Sequence, residues 1–449
     1  MPRVPIGSRE LRILVETVKL AEEIKPSQQA KRNVFRKHRI LGTDVDRVLT
    51  AIFYNTMRRL GIIDKVISDV TKVPNVLILD PWLRAALRVA TNLLLFDRIS
   101  DKLKRLLKWK VADYISAITH PYVGIYYWRV FDEIERYEIK PKNRDEELEI
   151  KYLLPSWFIS KMRSLLGDSE AEELFKALNT RLPISVRVNT LKASVEEVVE
   201  ELRKLGKNPV VSSYVPVVVK FDGPLDFDNT RIYREGKVVI QEEAAAAASI
   251  LLNPKPGETV VDMCAAPGGK TTHIAELMKN RGIIYAFDID KYRIRRMKEL
   301  IRRTGVRIVK IFKEDANRAS EILGEEVADK VMLDAPCTAS GTIMKNPELR
   351  WRLRPDGIVE IAQQQYELLK AAIKLVKPGG KILYCTCSLF PEENEELISK
   401  VLREHSEMEL IPLKKPYSEG FLKGTMRAWP HRHGTVGFFY ALLRKKKEK

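Results

Sequence analysis

Apolar positions in the first third of the chain recur at helical spacing. Leu11, Leu14, Val15 and Val18 form one such stripe. The stretch "TDVDRVLTAIFYNTMRRLG" opens on Thr43 as a helix cap and gathers Val45, Val48, Leu49, Ile52 and Phe53 on one side. It is expected to stop at Gly61. "DPWLRAALRVATNLLLF" supplies Asp80 as a cap and Pro81 at the first helical position. Residues 1–140 are therefore expected to be helical throughout, and the polar break "EIKPKNRDEE" at 138–147 reads as a linker.

Between 148 and 235 the periodicity is mixed. "PSWFISKMRSLLG" and "SVEEVVEELRKLG" repeat as helices, whereas "ISVRVNT", "VPVVVKF" and "GKVVIQ" read as strands. From 236 to 445 apolar strand-like runs alternate with helices. The strands are "TVVDMC", "GIIYAFD", "VRIVKIF", "DKVMLD" and "KILYCTC", with "VGFFYALL" as a last strand. The intervening helices are "KTTHIAELMKN", "YRIRRMKELIRR" and "GIVEIAQQQYELLKAAIKLV". Such alternation predicts a mostly parallel sheet with crossover helices, whose ligands bind beyond the carboxyl ends of the strands. Three regions follow: 1–140, 148–235 and 236–445.

Charge adds a partner to this picture. Lys and Arg number 78 against 60 Asp and Glu, a formal net charge of +18. A heat-adapted surface raises Lys and Glu together. A basic excess points instead to a polyanion, because cationic side chains displace counterions from phosphate backbones. Residues 1–140 hold 26 basic and 16 acidic side chains, with clusters at "KRNVFRKHR" (31–39) and "RISDKLKRLLKWK" (98–110). These are candidate RNA contacts. The N-terminus lacks the apolar core of a secretory signal, and no run approaches 18 apolar residues. A soluble, cytoplasmic protein, with no membrane partner, is expected. Its four cysteines suit a reducing compartment.

The chemistry-bearing residues fall at the strand ends. "CAAPGGK", Cys264 to Lys270, puts small residues and two glycines before a helix, so backbone N–H groups can meet a carboxylate or phosphate. It is not a Walker A loop, because GxxxxGK[ST] is absent, and this disfavours nucleotide hydrolysis. Asp288 ends the second strand and suits ribose hydroxyls, or serves only as a strand-end cap. Asp315, in "KEDANRA", suits an adenine amino group, or is only the acid common in turns. The fourth strand ends in "DAPCTASG", with Asp334 and Cys337, and the fifth in "CTCS", with Cys385 and Cys387. Cys-x-Cys lacks the spacing of a zinc site and no second pair exists, so no metal is expected. Thiols beside an adenosine-type pocket suit methylation of a pyrimidine at carbon 5. That carbon is a poor nucleophile until a thiolate adds to carbon 6, after which it attacks a sulfonium methyl group readily. A free cysteine is only about 3 % thiolate at pH 7, so the site must favour ionisation.

The blocks "VVDMCAAPGGKTTHIAELM", "DAPCTASGTIMKNPELRW" and "YCTCSLFPEENE" resemble the signatures of the Sun/Fmu (Nop/Sun) family of RNA 5-methylcytosine methyltransferases. "SVRVNT", "GKVVIQEEAA" and the closing "WPHRHGTVGFFYALL" extend the resemblance over about 148–445, and the helical 1–140 is similar in pattern to a NusB-like RNA-binding domain. The resemblance implies a Rossmann-like class I methyltransferase domain of α/β class, a small α/β RNA-contacting segment before it, and an all-α NusB-like domain. It implies S-adenosylmethionine contacts from Cys264, Ala265, Ala266, Pro267, Gly268, Gly269 and Lys270, then Asp288, Asp315 and Asp334. It assigns the nucleophile to Cys387 and release of the methylated RNA to Cys337. Asp334 would hydrogen-bond the cytosine, and Lys270 would orient the base or the cofactor carboxylate.

Several residues are read more plainly. Cys385 is a small buried strand residue, His273 is structural, and Val436 stands where many members carry an acid. His431 and His433 are expected at the surface or on RNA. "KNPELRWRLR", Lys345 to Arg354, would grip flanking phosphates, with Trp351 either stacking on a base or packing in the core. The target base must leave its stack, so single-stranded or flipped RNA is the expected substrate. The resemblance to a NusB-like domain implies ribosomal RNA, with transfer RNA as the alternative. A monomer is expected. Two other readings remain: a DNA cytosine methyltransferase using Cys337 as nucleophile, and an assembly factor with a dormant methyltransferase fold. The "TCS" block argues against the first. Two thiols, Asp334 and the glycine loop argue against the second.

Overall fold

A computed structural model describes residues 6–97 and 99–447 of the chain. They fall into two compact units, Met1–Lys176 with Lys345–Arg352, and Ala177–Met344 with Leu353–Lys449. No helix among the described residues is long and apolar enough to cross a membrane.

The first unit is helical. Its helices Ser8–Glu23, Ser27–Lys37, Asp44–Arg58, Leu60–Thr71, Pro81–Thr91, Asp101–Ile118 and Pro121–Glu135 close on a core that includes Leu14, Val18, Phe35, Phe53, Ile63, Leu87 and Phe131. The caps form as the sequence requires: Thr43 accepts from the Asp46 N–H, and Asp80 from those of Trp82 and Leu83. Gly61 does not end its helix. The chain breaks at Arg59, and Gly61 lies in the first turn of the next helix. The residue is small there because a Cβ would lie 2.1 Å from the Trp351 ring. The expected linker at 138–147 is partly helical, since Asn143 caps a helix Arg144–Tyr152. Two more helices, Ser156–Leu166 and Asp168–Ala177, extend helical structure well past residue 140.

The second unit holds two sheets. Strands β1 (Ile184–Val188), β2 (Val210–Val211), β3 (Val218–Phe221) and β4 (Val238–Ile240) form an antiparallel sheet in the order β2-β3-β1-β4. Helix Val195–Lys204 lays Val198, Val199 and Leu202 against Val186, Val188, Val219 and Phe221. The larger sheet contains β5 (Thr259–Asp262), β6 (Ile283–Phe287), β7 (Val309–Phe312), β8 (Ala328–Asp334), β9 (Val376–Thr386), β10 (Met408–Ile411), β11 (Ser418–Glu419), β12 (Met426–Ala428) and β13 (Phe438–Lys445). Its order is β11-β12-β13-β9-β8-β5-β6-β7, with β10 also on β13. Strands β5 to β9 pair in parallel, and β13 runs antiparallel to β9. The parallel strands are continuous apolar runs because helices cover both faces; Val260, Val261, Val331, Leu333, Ile382 and Leu383 are all fully buried. One feature of the connectivity is that of a class I methyltransferase sheet. The chain passes outward from β5 to β7, then returns to place β8 on the other side of β5. The crevice opened at this reversal is where such sheets bind ligands.

Candidate active site

The loop after β5 turns tightly into helix Gly269–Leu277. Gly268 has φ of 98°, and a Cβ there would lie 2.9 Å from Met297 Cγ, so only glycine fits. Ala265 donates its N–H to the Phe287 carbonyl at 2.9 Å, and Pro267 stands exposed. The carboxylate of Asp288, just beyond β6, accepts from the Ala266 N–H (3.0 Å) and the Asp290 N–H (2.9 Å). Arg293 approaches the same carboxylate at 3.6 Å and donates to the Ala266 carbonyl. The acid is thus held against the glycine turn, with lone pairs left for hydroxyl donors. Asp315 is exposed after β7 and caps the Asn317 N–H at 2.9 Å. Burial, with the carboxylates of Asp334, Asp262 and Asp288, pushes the Cys264 thiol pKa well up. That cysteine is a neutral wall of the loop.

Asp262, the last residue of β5, was not singled out by the sequence. It is fully buried, accepts from Thr271 Oγ1 at 2.7 Å, and its other oxygen has no partner. Burial pushes its pKa up to about 7, with Asp334 and Asp288 adding to the shift and Thr271 and Lys270 opposing it. A glycine-lined turn, a fixed acid at the second strand and an orphaned acceptor at the base of the loop fit a cationic adenosine cofactor. An acid at the end of a buried strand, two residues before "CAAPGGK", was the available signal.

Strands β8 and β9 bring the thiols together. Asp334 pairs in register with Cys385, and the Ala335 N–H donates to the Cys385 carbonyl at 3.0 Å. Beyond the strands, the Gly341 N–H donates to the Cys387 carbonyl at 2.9 Å. Cys337 Sγ and Cys387 Sγ lie 3.3 Å apart. Cys385 is fully buried, and its thiol donates to Asp334 Oδ1 at 3.6 Å. The other Asp334 oxygen accepts from Lys270 Nζ at 2.6 Å, and this ammonium also lies 5.1 Å from the Phe438 ring centre. Burial opposes the lysine charge, yet Asp334 and the neighbouring thiols raise its pKa above the ordinary value. Contact with Cys387, then burial and the Glu393 charge, push the Cys337 pKa well up. Cys337 therefore rests as a neutral thiol beside Cys387.

A family model described as 16S rRNA methyltransferase RsmB/F matches residues 249–444, and one described as an RsmF/B-like ferredoxin-like domain matches 154–228. A protein of Synechocystis called probable ribosomal RNA small subunit methyltransferase B is 35 % identical over 300 residues, 66 % of this chain and 67 % of that one. The chain belongs to the RsmB/F methyltransferase family. A crystal structure of a protein designated PH0851 is 57 % identical, with TM-score 0.90 over 98 % of this chain and 100 % of that one. NSun6 from Pyrococcus horikoshii, solved with the S-adenosylmethionine analogue SFG, is 29 % identical, with TM-score 0.59 over 65 % of this chain and 98 % of that one. The RsmB/F chain is accordingly an S-adenosylmethionine-dependent methyltransferase.

Some peripheral expectations change. In this RsmB/F chain the segment "KNPELRWR" is not an open phosphate grip. Residues 345–352 belong to the helical unit. There Glu348 accepts from the Ser27 N–H (2.8 Å), the Trp351 indole N–H donates to the Arg58 carbonyl (2.7 Å), and Arg352 donates to the Ala21 carbonyl. Arg350 is buried and donates to the Leu153 carbonyl at 3.3 Å. Trp351 is thus a packing residue. His433 is also structural: it accepts from the Trp429 N–H at 2.8 Å and sits against the rings of Tyr214 and Tyr417. Val436 and His273 are buried, the latter as anticipated.

Proposed function

We propose that the protein methylates carbon 5 of cytosine in RNA, with ribosomal RNA as the substrate class, through a covalent bond between Cys387 and carbon 6. The observation that carries this reading is the pair of thiols at 3.3 Å beside the Lys270–Asp334 ion pair. Packing alone gives no reason for two free thiols and a buried ion pair to converge at a ligand edge. Residues Cys264 to Lys270, with Asp288, Asp315 and Asp334, would hold S-adenosylmethionine, which when bound supplies an electrophilic methyl group.

The roles divide by environment. Cys387 adds through its thiolate to carbon 6, and the electron pair so delivered makes carbon 5 nucleophilic. Asp334 accepts from the exocyclic amino group of the base, while Lys270 offers positive charge to the ring as electrons accumulate there. Once carbon 5 carries the methyl group, its proton is removed and the bond from carbon 6 to Cys387 Sγ breaks. Cys337, held neutral, is suited to deliver a proton to the departing sulfur rather than to attack. The formal charge of +18 supports a nucleic-acid substrate, and the name of the Synechocystis relative supports ribosomal RNA.

The reaction is tested with methyl-labelled cofactor and separate ribosomal and transfer RNA pools, followed by digestion to nucleosides. Label in 5-methylcytidine from ribosomal RNA is expected. Label in transfer RNA would reassign the substrate, and label in any other nucleoside would overturn the chemistry.

A further inference from the structure

The block "PEENE" follows the second thiol, and the chemistry above leaves it without a task. Glu393 lies within it and is fully buried. One carboxylate oxygen accepts from Thr338 Oγ1 at 2.5 Å and from the Ser388 hydroxyl. The other accepts from the Thr338 N–H at 2.9 Å and from Gln365 Nε2 at 3.0 Å. Gln365 Nε2 also donates to the Pro336 carbonyl at 2.7 Å. Thr338 immediately follows Cys337, Pro336 precedes it, and Ser388 immediately follows Cys387.

The next residue repeats the pattern. Asn394 accepts from Thr386 Oγ1 at 2.6 Å and donates to the Ser388 carbonyl at 3.0 Å, so it brackets Cys387 on both sides. The Thr338 and Ser388 hydroxyls lie 3.1 Å apart, so the two loops meet directly at the residues behind the thiols.

We propose that Glu393 is a positioning residue that sets the spacing of Cys337 and Cys387 by clamping the residue that follows each of them. A carboxylate suits this task because it only accepts, and here four donors converge on its two oxygens. Neither thiol loop is a regular element at this point, so strand pairing alone does not fix the sulfur separation. A side chain on a loop is held only as well as the hydrogen bonds behind it. The Glu393 charge adds a second effect, for it opposes ionisation of Cys337 and so favours the proton staying on that sulfur. The clamp stands on its own geometry; its consequence for turnover rests on the function proposed above.

The test is Glu393→Gln, whose amide sets a donor against donors at one end of the clamp. Sulfur spacing is read without RNA by the rate at which diamide closes the Cys337–Cys387 disulfide. In that reaction the two thiols give up two electrons and two protons, and diamide becomes the hydrazine. Closure is expected to slow about tenfold or more, and kcat for methylation to fall by a similar factor, with KM for RNA and the affinity for S-adenosylmethionine unchanged. Closure and kcat at wild-type rates would overturn the proposal. If Glu393→Gln no longer binds the cofactor, Thr338→Ala and Ser388→Ala each remove one hydroxyl from the clamp. Slower closure in both supports the proposal, and wild-type closure in both overturns it. Control of closure by Glu393 in an enzyme that makes no 5-methylcytidine would leave the clamp standing and refute the proposed reaction.

Discussion

Lys270 is largely buried yet cationic because Asp334 lies 2.6 Å from its ammonium. Lys270→Met leaves that carboxylate without its ionic partner and removes the positive charge that the proposed reaction offers to the base. A fall of about a hundredfold or more is expected in the single-turnover rate constant for methyl transfer. Asp334→Asn in the same background should cost less than it does alone, because the pair acts as a unit. Asp262 makes a separate, pH-dependent prediction. Its pKa rises from 3.8 in the unfolded chain to about 7 in the folded one. Between those values the folded state holds a proton that the unfolded state has released, so this residue's contribution falls as pH rises. Asp262→Asn removes the effect while keeping an acceptor for Thr271. Relative to the variant, the wild type should lose up to about 4 kcal/mol between pH 4 and 7.5, measured by urea unfolding. The thiols, Asp334 and the glycine loop were readable because each combines rare residue types at a strand end. Glu393 was not. An acid in the run "PEENEE" looks solvated, and its burial depends on Thr338, Gln365 and Ser388, which the fold brings from elsewhere.

At the scale of elements, apolar runs were legible even where the strand is short, as in β4 with its three residues, and segments without such a run were not. The parallel strands appear where apolar runs alternate with helical ones, because burial on both faces leaves that pattern. Strands β10, β11 and β12 are segments of four, two and three residues broken by Glu409, Glu419 and Arg427, and they exist through pairing with β13 or with each other. Gly61 was read as a helix stop because glycine usually is one; its real constraint is the Trp351 ring, 290 residues away in sequence. No local signal reports such a contact. Gly61→Ala should therefore destabilise the helical unit by about 1–3 kcal/mol through overpacking, far more than a helix-favouring substitution at a free site. Thermal unfolding checks this. An unchanged or higher melting temperature would mean that Trp351 yields at no cost.

For the whole molecule, charge and connectivity act together. The chain leaves the catalytic unit after Met344, supplies residues 345–352 to the helical unit, and returns at Leu353. Those eight residues follow the Cys337 loop closely, so the helical unit is built partly from sequence that belongs to the catalytic block. Residues 1–140 also carry much of the basic excess. RNA affinity should accordingly fall steeply with salt, with log K linear in log salt and a slope of several units, while affinity for S-adenosylmethionine stays nearly constant. A flat salt response would remove charge from the account of substrate binding. The central claim, covalent attack by Cys387, is tested most directly by incubating Cys337→Ala with RNA and S-adenosylmethionine and mapping any stable protein–RNA adduct by peptide mass. The account predicts an adduct that survives denaturation, carried by the Cys387 peptide and absent from Cys387→Ala. An adduct on Cys337 in the Cys387→Ala protein, or undiminished methylation by that protein, would contradict it.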